Sequence, residues 1–326
     1  FDINSLQSGD ILLIRGSSTI SSSVSRISEV PSVFSHLAVV YIDEKSGDKF
    51  VLEALSHIGL IARSLPDMLS KPMARIAVLR PKDEPLGKEM AQFVYNEIIE
   101  SNKRGKPYGF DFSMSMENNC RFFCSKVIAW GYDQVSNGAI TLPSFKSKIQ
   151  RNNSKFMETF GLDKSTVYSF SPTDILFDSR FKLIHEYRDP YLDSNNRLKD
   201  LIADKIFSWM DQGYDFNLGF FREKAISVMS KLLTYKMVKK ILLRLDKRVD
   251  DHFPTSIVRT LAGIHILLNA YEKEISKEYL EYQAKTNFPM PPKKVYALIE
   301  RARNQNPKLA SLIKFKAAPS TCLMHY

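Results

Sequence analysis

The chain has 326 residues, 44% of them hydrophobic and 25% charged, with a formal net charge of +10. That balance excludes a disordered or collagen-like chain and allows one large domain or two ordinary ones. Three cysteines without dense spacing exclude a disulfide-stapled framework, and no apolar run reaches the roughly 18 residues of a membrane span. The excess of positive charge falls almost wholly on residues 191–326, the first 190 being near balance. This asymmetry predicts two halves, the second facing something acidic.

In chain order, Ser8-Gly9-Asp10 reads as a turn and Ile11 to Ile14 as a short strand. Gly16 to Ser25 reads as a Ser-rich loop leading into a helical turn around Val24 to Ile27. Leu37 to Ile42, opened by Ser35-His36, is a buried strand. Ser46-Gly47-Asp48 turns it into a partner strand, Phe50 to Ala54. Leu60 to Arg63 is extended, Leu65 to Leu69 a short helix and Arg75 to Leu79 a further strand. Gly87 to Asn102 has apolar residues at helical spacing on one face. An aromatic loop, Lys106 to Phe112, precedes a helix that starts at Cys124 and that Gly131 can close. Residues 134–170 read as an insertion or lid, Ser171 to Leu176 as a turn and Phe181 to His185 as a final strand. Strands in hairpin order with interspersed helices argue an α+β half, residues 1–190. Beyond it, Leu198 to Met210, Phe221 to Leu245, Thr255 to Lys277 and Lys293 to Arg303 read as helices, so residues 191–326 form a basic all-α half.

The chemistry centres on Cys124. A thiol at a helix start sits among free backbone amides and the positive dipole end, which favour thiolate. The plainer reading is a small buried apolar residue. A cysteine nucleophile needs a base, and the base needs an orienting group. His36 opens a buried strand. Glu53 lies inside the apolar run Val51-Leu52-Glu53-Ala54, where a carboxylate is costly to bury unless paired. The hairpin between their strands can place Glu53 beside His36, and a carboxylate holding an imidazole that faces a thiol is a triad arrangement. Cys120 is the rival nucleophile but lacks the helix start. His57 and His185 read as structural, Asp10 as a turn cap and Arg26 as one member of a surface ion pair. Cys120 and Cys124 have no His or Cys cluster near them, so no metal and no cofactor is expected.

At these residues the sequence resembles the permuted NlpC-type cysteine peptidases of the papain-like superfamily, with bacterial YiiX- and YebB-like proteins as relatives. The matching pieces, in the family's order, are Ser8 to Leu12, Val24 to Ile27, Phe34 to Val40, Val51 to Ala54, Lys106 to Phe112, Phe123-Cys124-Ser125 and Ser171 to Leu176. They span roughly residues 6–188. The resemblance implies a permuted papain-like antiparallel sheet with packed helices. It also implies Cys124 as nucleophile, His36 as general base and Glu53 as orienting carboxylate. Tyr108, Asp111, Ser35 and Ser125 would line the substrate site, and the Cys124 amide would help hold an oxyanion. Lys126 stands where the family usually has Glu, Gly109 is an extra residue in the tyrosine loop, and 134–170 is long. The helical half lies outside the resemblance.

The expected activity is hydrolysis of an amide (peptide or lipid-linked) or acyl ester through an acyl-enzyme. An acyltransferase shares the first half-reaction. A protein of another class is also compatible: an effector that binds a membrane or a partner through the helical half, as a secreted or translocated bacterial protein would. Residues 222–248 predict a basic amphipathic helix suited to its own core or to an anionic membrane surface or protein partner. Nucleic acid is not the expected partner, because no zinc-finger spacing, aromatic RNA-binding signature or helix-turn-helix is present.

Overall fold

The computed structural model describes residues 2–26, 28, 32–56, 58–117, 120–144, 158, 169–217 and 255–315. The basic helix predicted at 222–248 lies outside them, as do most of segment 134–170, His57, His252, His325 and Cys322.

The first half is built on β1 (Ile11–Gly16), β2 (His36–Ile42), β3 (Lys49–Leu55), β4 (Gly59–Ser64), β5 (Met73–Pro81) and, after the Cys124 region, a last strand at Phe181–Arg188. These six form one sheet in the spatial order β4-β3-β2-β1-β5 and then the last strand, every neighbouring pair antiparallel. Side chains alternate across a strand, so consecutive residues serve opposite faces. Leu37, Val39 and Tyr41 pack on one face with Leu52, Leu79, Met90 and Ile128. Ala38 and Val40 pack on the other with Val51, Ile76, Val78 and Met68. Both faces are covered, which is why β1 and β2 read as continuous apolar runs.

The helices of this half are α1 (Thr19–Val24), α2 (Leu65–Leu69), α3 (Glu84–Lys103) and α4 (Cys124–Val135). Two-residue strands β6 (Gly109–Phe110) and β7 (Arg121–Phe122) pair in parallel just ahead of α4, and the last strand of the large sheet is then β8. Gly59 has φ +93°, and a Cβ there would lie 2.1 Å from the Tyr108 carbonyl oxygen. Only glycine lets β4 approach the aromatic loop this closely.

Two boundaries differ from expectation. The serine-rich stretch after β1 is already helical at Thr19, because the Ser18 side chain accepts from the Ser21 amide at the helix start. Serine hydroxyls that would favour a loop are turned inward: Ser23 donates to the Thr19 carbonyl and Ser25 to the Ser22 carbonyl. Gly131 does not end α4, which runs on to Val135. Its missing side chain serves packing instead, since a Cβ would come within 3 Å of Met90 and Val94 on α3.

The second half consists of α5 (Pro190–Asp211), α6 (Thr255–Thr286), α7 (Pro292–Gln305) and α8 (Pro307–Leu312), with a short antiparallel ladder, β9 (Tyr214–Phe216) against β10 (Ile313–Phe315), that the sequence did not suggest. Its core gathers Ile206, Trp209, Leu268, Tyr271 and Ile299. The chain is thus a mixed helix-and-strand protein with a six-stranded antiparallel sheet followed by helices.

The two halves meet along α1 and α5. Buried Arg15 pairs with Asp200, Arg26 Nε donates to Asp204 at 2.9 Å, and Arg75 Nε donates to Asp193 at 2.7 Å. Thr19 hydrogen-bonds His265 of α6 at 2.9 Å, and Asn196 donates to the Gly16 carbonyl at 2.9 Å. Arg26 therefore has a carboxylate of the helical half as its partner. Asp10 accepts from the Gln7 amide and from both Nε and Nη2 of Arg80, each at 2.8 Å, which ties the start of β1 to β5.

Candidate active site

His36 is the first residue of β2 and Glu53 lies near the end of β3. The register pairs Val39 with Leu52 and Val40 with Val51. Continuing it sets Glu53 opposite Ala38, one diagonal step from His36 on the same face. On its other side Glu53 pairs with Ile61, and Arg63 is again one diagonal step away. A line of three polar side chains thus crosses three strands. His36 Nε2 contacts Glu53 Oε2 at 2.7 Å, and Arg63 Nη2 contacts Glu53 Oε1 at 2.6 Å. Glu53 is only 1% exposed, so this pairing is what makes its burial tolerable.

Cys124 is the first residue of α4, and no side chain caps that helix start. The Cys124 and Ser125 amides at the thiol are therefore left without a side-chain cap. The thiol sits where β2 begins: it interacts with the His36 ring, with the Leu37 backbone amide and with the Ser125 hydroxyl, the last at 3.8 Å. With Nε2 turned to Glu53, Nδ1 is the ring nitrogen left to face the sulfur.

The charges follow from these contacts. Burial acts to raise the Cys124 thiol, but hydrogen bonding and charge from His36, with the Leu37 amide, outweigh it and hold the thiol below its ordinary value. Burial acts to lower the His36 imidazolium, yet Cys124 and Glu53 together push it up to about 10. Burial acts to raise Glu53, and His36 and Arg63 outweigh that to hold it below the ordinary carboxylate range. Together these shifts favour the thiolate–imidazolium–carboxylate form over a neutral thiol beside a neutral ring.

These three side chains open into a cavity of about 380 Å³. Ser35 and Ser125 also line it. The Ser35 hydroxyl bonds Ser21 at 2.6 Å, and Ser125 is fully buried under the thiol. Tyr108 and Asp111 are not among the lining residues. The Tyr108 hydroxyl instead donates to Glu97 at 2.7 Å, and its ring packs edge-on against Phe122 and Trp130 behind the start of α4. Asp111 accepts from the Ser113 amide and hydroxyl and braces its own turn. It is Phe110 and Phe112 of that loop that reach the cavity. Lys126 is buried, with its ammonium donating to the Ser115 carbonyl at 2.9 Å, and it too is absent from the lining. Cys120 is exposed, and His185 bonds Ser5 at 3.0 Å across the far strand. Among the described residues no group of three or more His, Cys, Asp or Glu could hold a metal ion, and no helix is long and apolar enough to cross a membrane.

Arg63 is the residue that sequence reading passes over. The signal was present: a glutamate buried in an apolar strand requires a cation, and Arg63 stands on the next strand at reach. Arg63→Met is expected to cost about 1–3 kcal/mol of stability at neutral pH, read as a lower urea midpoint. Because the Glu53 carboxyl is depressed in the folded state, its contribution is present above the unfolded carboxylate value and is lost as pH falls through the folded one. Removing Arg63 raises that folded value, so acid destabilisation should begin at higher pH in the variant.

The order His, Glu, Cys along the chain, on an antiparallel sheet with the cysteine heading a helix, defines a papain-like arrangement in permuted order. The family model of permuted papain-like amidases, YaeF/YiiX, C92 family, matches residues 5–185. The chain belongs to that family, and at this level it is a papain-like amidase of the cysteine hydrolase class. Among solved structures it is similar to the metalloprotein yiiX from Escherichia coli O157:H7, at 19% identity and a TM-score of 0.43, covering 56% of this chain and 98% of that one. No curated protein matches the chain.

Proposed function

We propose that the protein cleaves an amide or acyl ester bond through an acyl-enzyme on Cys124. The observation that carries this is His36 held between the Glu53 carboxylate, at 2.7 Å, and the Cys124 thiol at the opening of a cavity. The Cys124 thiolate adds to the substrate carbonyl carbon. The oxyanion formed is met by the uncapped amide of Cys124 at the helix start. The His36 imidazolium gives its proton to the departing amine or alcohol as the carbon–heteroatom bond breaks, leaving a thioester and a neutral ring. His36 then takes a proton from water, hydroxide adds to the thioester, and the acid leaves as the thiolate reforms and recovers its imidazolium partner. Glu53 keeps the ring oriented and stabilises its charged form, and Arg63 holds Glu53 in turn.

Acid quenching of a reaction with an activated acyl ester, followed by peptide mass mapping, tests this directly. The acyl mass is expected on the Cys124 peptide alone. Acylation of Cys120 in its place, or no adduct during turnover, would sink the proposal. Adding an amine acceptor to the same reaction separates the two fates of the thioester: an acyltransferase forms the new amide faster than it releases acid.

A further inference from the structure

The cavity does not end at the thiol. One side is formed by the sheet residues Ile14 and Met73, and another by Val24 at the end of α1. Leu261, on α6 of the helical half and beyond the segment that the family model matches, also lines the cavity. Val24 and Met114 pack against the core of the helical half as well as lining the cavity. The helical half also fixes α1 in place through Arg15–Asp200, Arg26–Asp204 and Thr19–His265. It therefore supplies one wall of the site and positions another.

The chemistry of the lining decides what fits. Methionines 68, 73 and 114 and the rings of Phe110, Phe112 and Phe170 present adaptable apolar surface. Several serines of the wall are already engaged: Ser21 with the Gly16 carbonyl and Ser35, Ser23 with the Thr19 carbonyl, Ser169 with the Met114 carbonyl. Arg63 is held by Glu53. A peptide would bring an amide and a carbonyl per residue into this space, and each left unpaired is costly. A hydrocarbon chain brings none and gains from every methylene it buries.

We propose that the acyl group received by Cys124 is a straight aliphatic chain lodged in this cavity, and that Leu261 of the helical half sets its length. The inference rests on the thiol-hydrolase reading above. It makes Leu261 a specificity-determining residue outside the part of the chain shared with the family.

The test uses the full chain and p-nitrophenyl esters of straight-chain acids from two to twelve carbons. For the wild type, kcat/KM should rise about fourfold per methylene until the end wall is met, and then fall. Leu261→Ala should move the optimum to longer chains and Leu261→Trp to shorter ones. Turnover that depends on Cys124 but is flat in chain length, or an optimum that Leu261→Ala leaves in place, overturns the inference while the hydrolase reading stands. Turnover that survives Cys124→Ala overturns the hydrolase reading itself. The cavity is then read by binding alone: a fluorescent straight-chain fatty acid should bind the Cys124→Ala protein, and Leu261→Trp should weaken it by about tenfold or more. No saturable binding, or binding unchanged by Leu261→Trp in a protein of native circular dichroism, overturns the cavity assignment.

Discussion

Cys124→Ala is expected to lower turnover by on the order of 10⁴-fold or more, while Cys120→Ala leaves it within about twofold. The asymmetry comes from placement. Cys124 begins a helix whose first amides are uncapped and touches His36, whereas Cys120 is exposed on the loop before β7. On the proposed mechanism, removing Cys124 deletes the atom that is acylated, and the neighbouring Ser125 hydroxyl, 3.8 Å from the sulfur, is a far weaker nucleophile than a thiolate. Steady-state hydrolysis of an activated ester by the two variants, with stability matched by urea unfolding, measures the difference. Comparable losses in both would mean that neither thiol is singled out by its surroundings.

His36→Ala is expected to cost about 10³- to 10⁴-fold, with a change in pH dependence that a packing defect would not produce. In the native site the imidazolium holds the thiol low, and the thiol and Glu53 hold the imidazolium up at about 10. The thiolate–imidazolium pair therefore forms as pH rises through the depressed thiol value and dissolves as pH rises through about 10. Without the ring, burial is left as the larger influence on the sulfur, and the thiolate forms only at or above its ordinary value. The acid limb of the kcat/KM profile should move up accordingly. Glu53 should also lose part of its depression, because only Arg63 then faces it.

Much of this arrangement was legible in the sequence because strands have a period of two and hairpins have a register. Once β2 and β3 were read as a hairpin, Glu53 could come beside His36, and the strict alternation that buries Leu37, Val39 and Tyr41 on one face puts His36 on the other. The helix start at Cys124 followed from local pattern in the same way. What could not be read depends on contacts between segments far apart in the chain. Tyr108 stood in an aromatic loop that does approach the site, but whether Tyr108 or Phe110 points into the cavity is set by the β6–β7 ladder and by Glu97 on α3. The packing that brings Leu261 to the cavity goes with ion pairs from Arg15 on β1 and Arg26 just past α1 to α5, residues about 180 positions apart, which no periodicity signals. The serine run after β1 read as a loop because serine usually competes with helix hydrogen bonding. Here the hydroxyls are satisfied inside the helix and against Ser35, and burial against the second half does the rest.

The central claim is that Cys124 is a thiolate at neutral pH because His36 makes it one. The most direct measurement is the rate of iodoacetamide alkylation of Cys124 as a function of pH, with its peptide resolved from that of Cys120 by mass spectrometry. Alkylation of Cys124 is predicted to stay fast well below the ordinary thiol value of about 8.5, and His36→Ala is predicted to restore a rise near or above that value. A Cys124 profile that rises only at the ordinary thiol value in the wild type, and that His36→Ala leaves unmoved, would contradict the account.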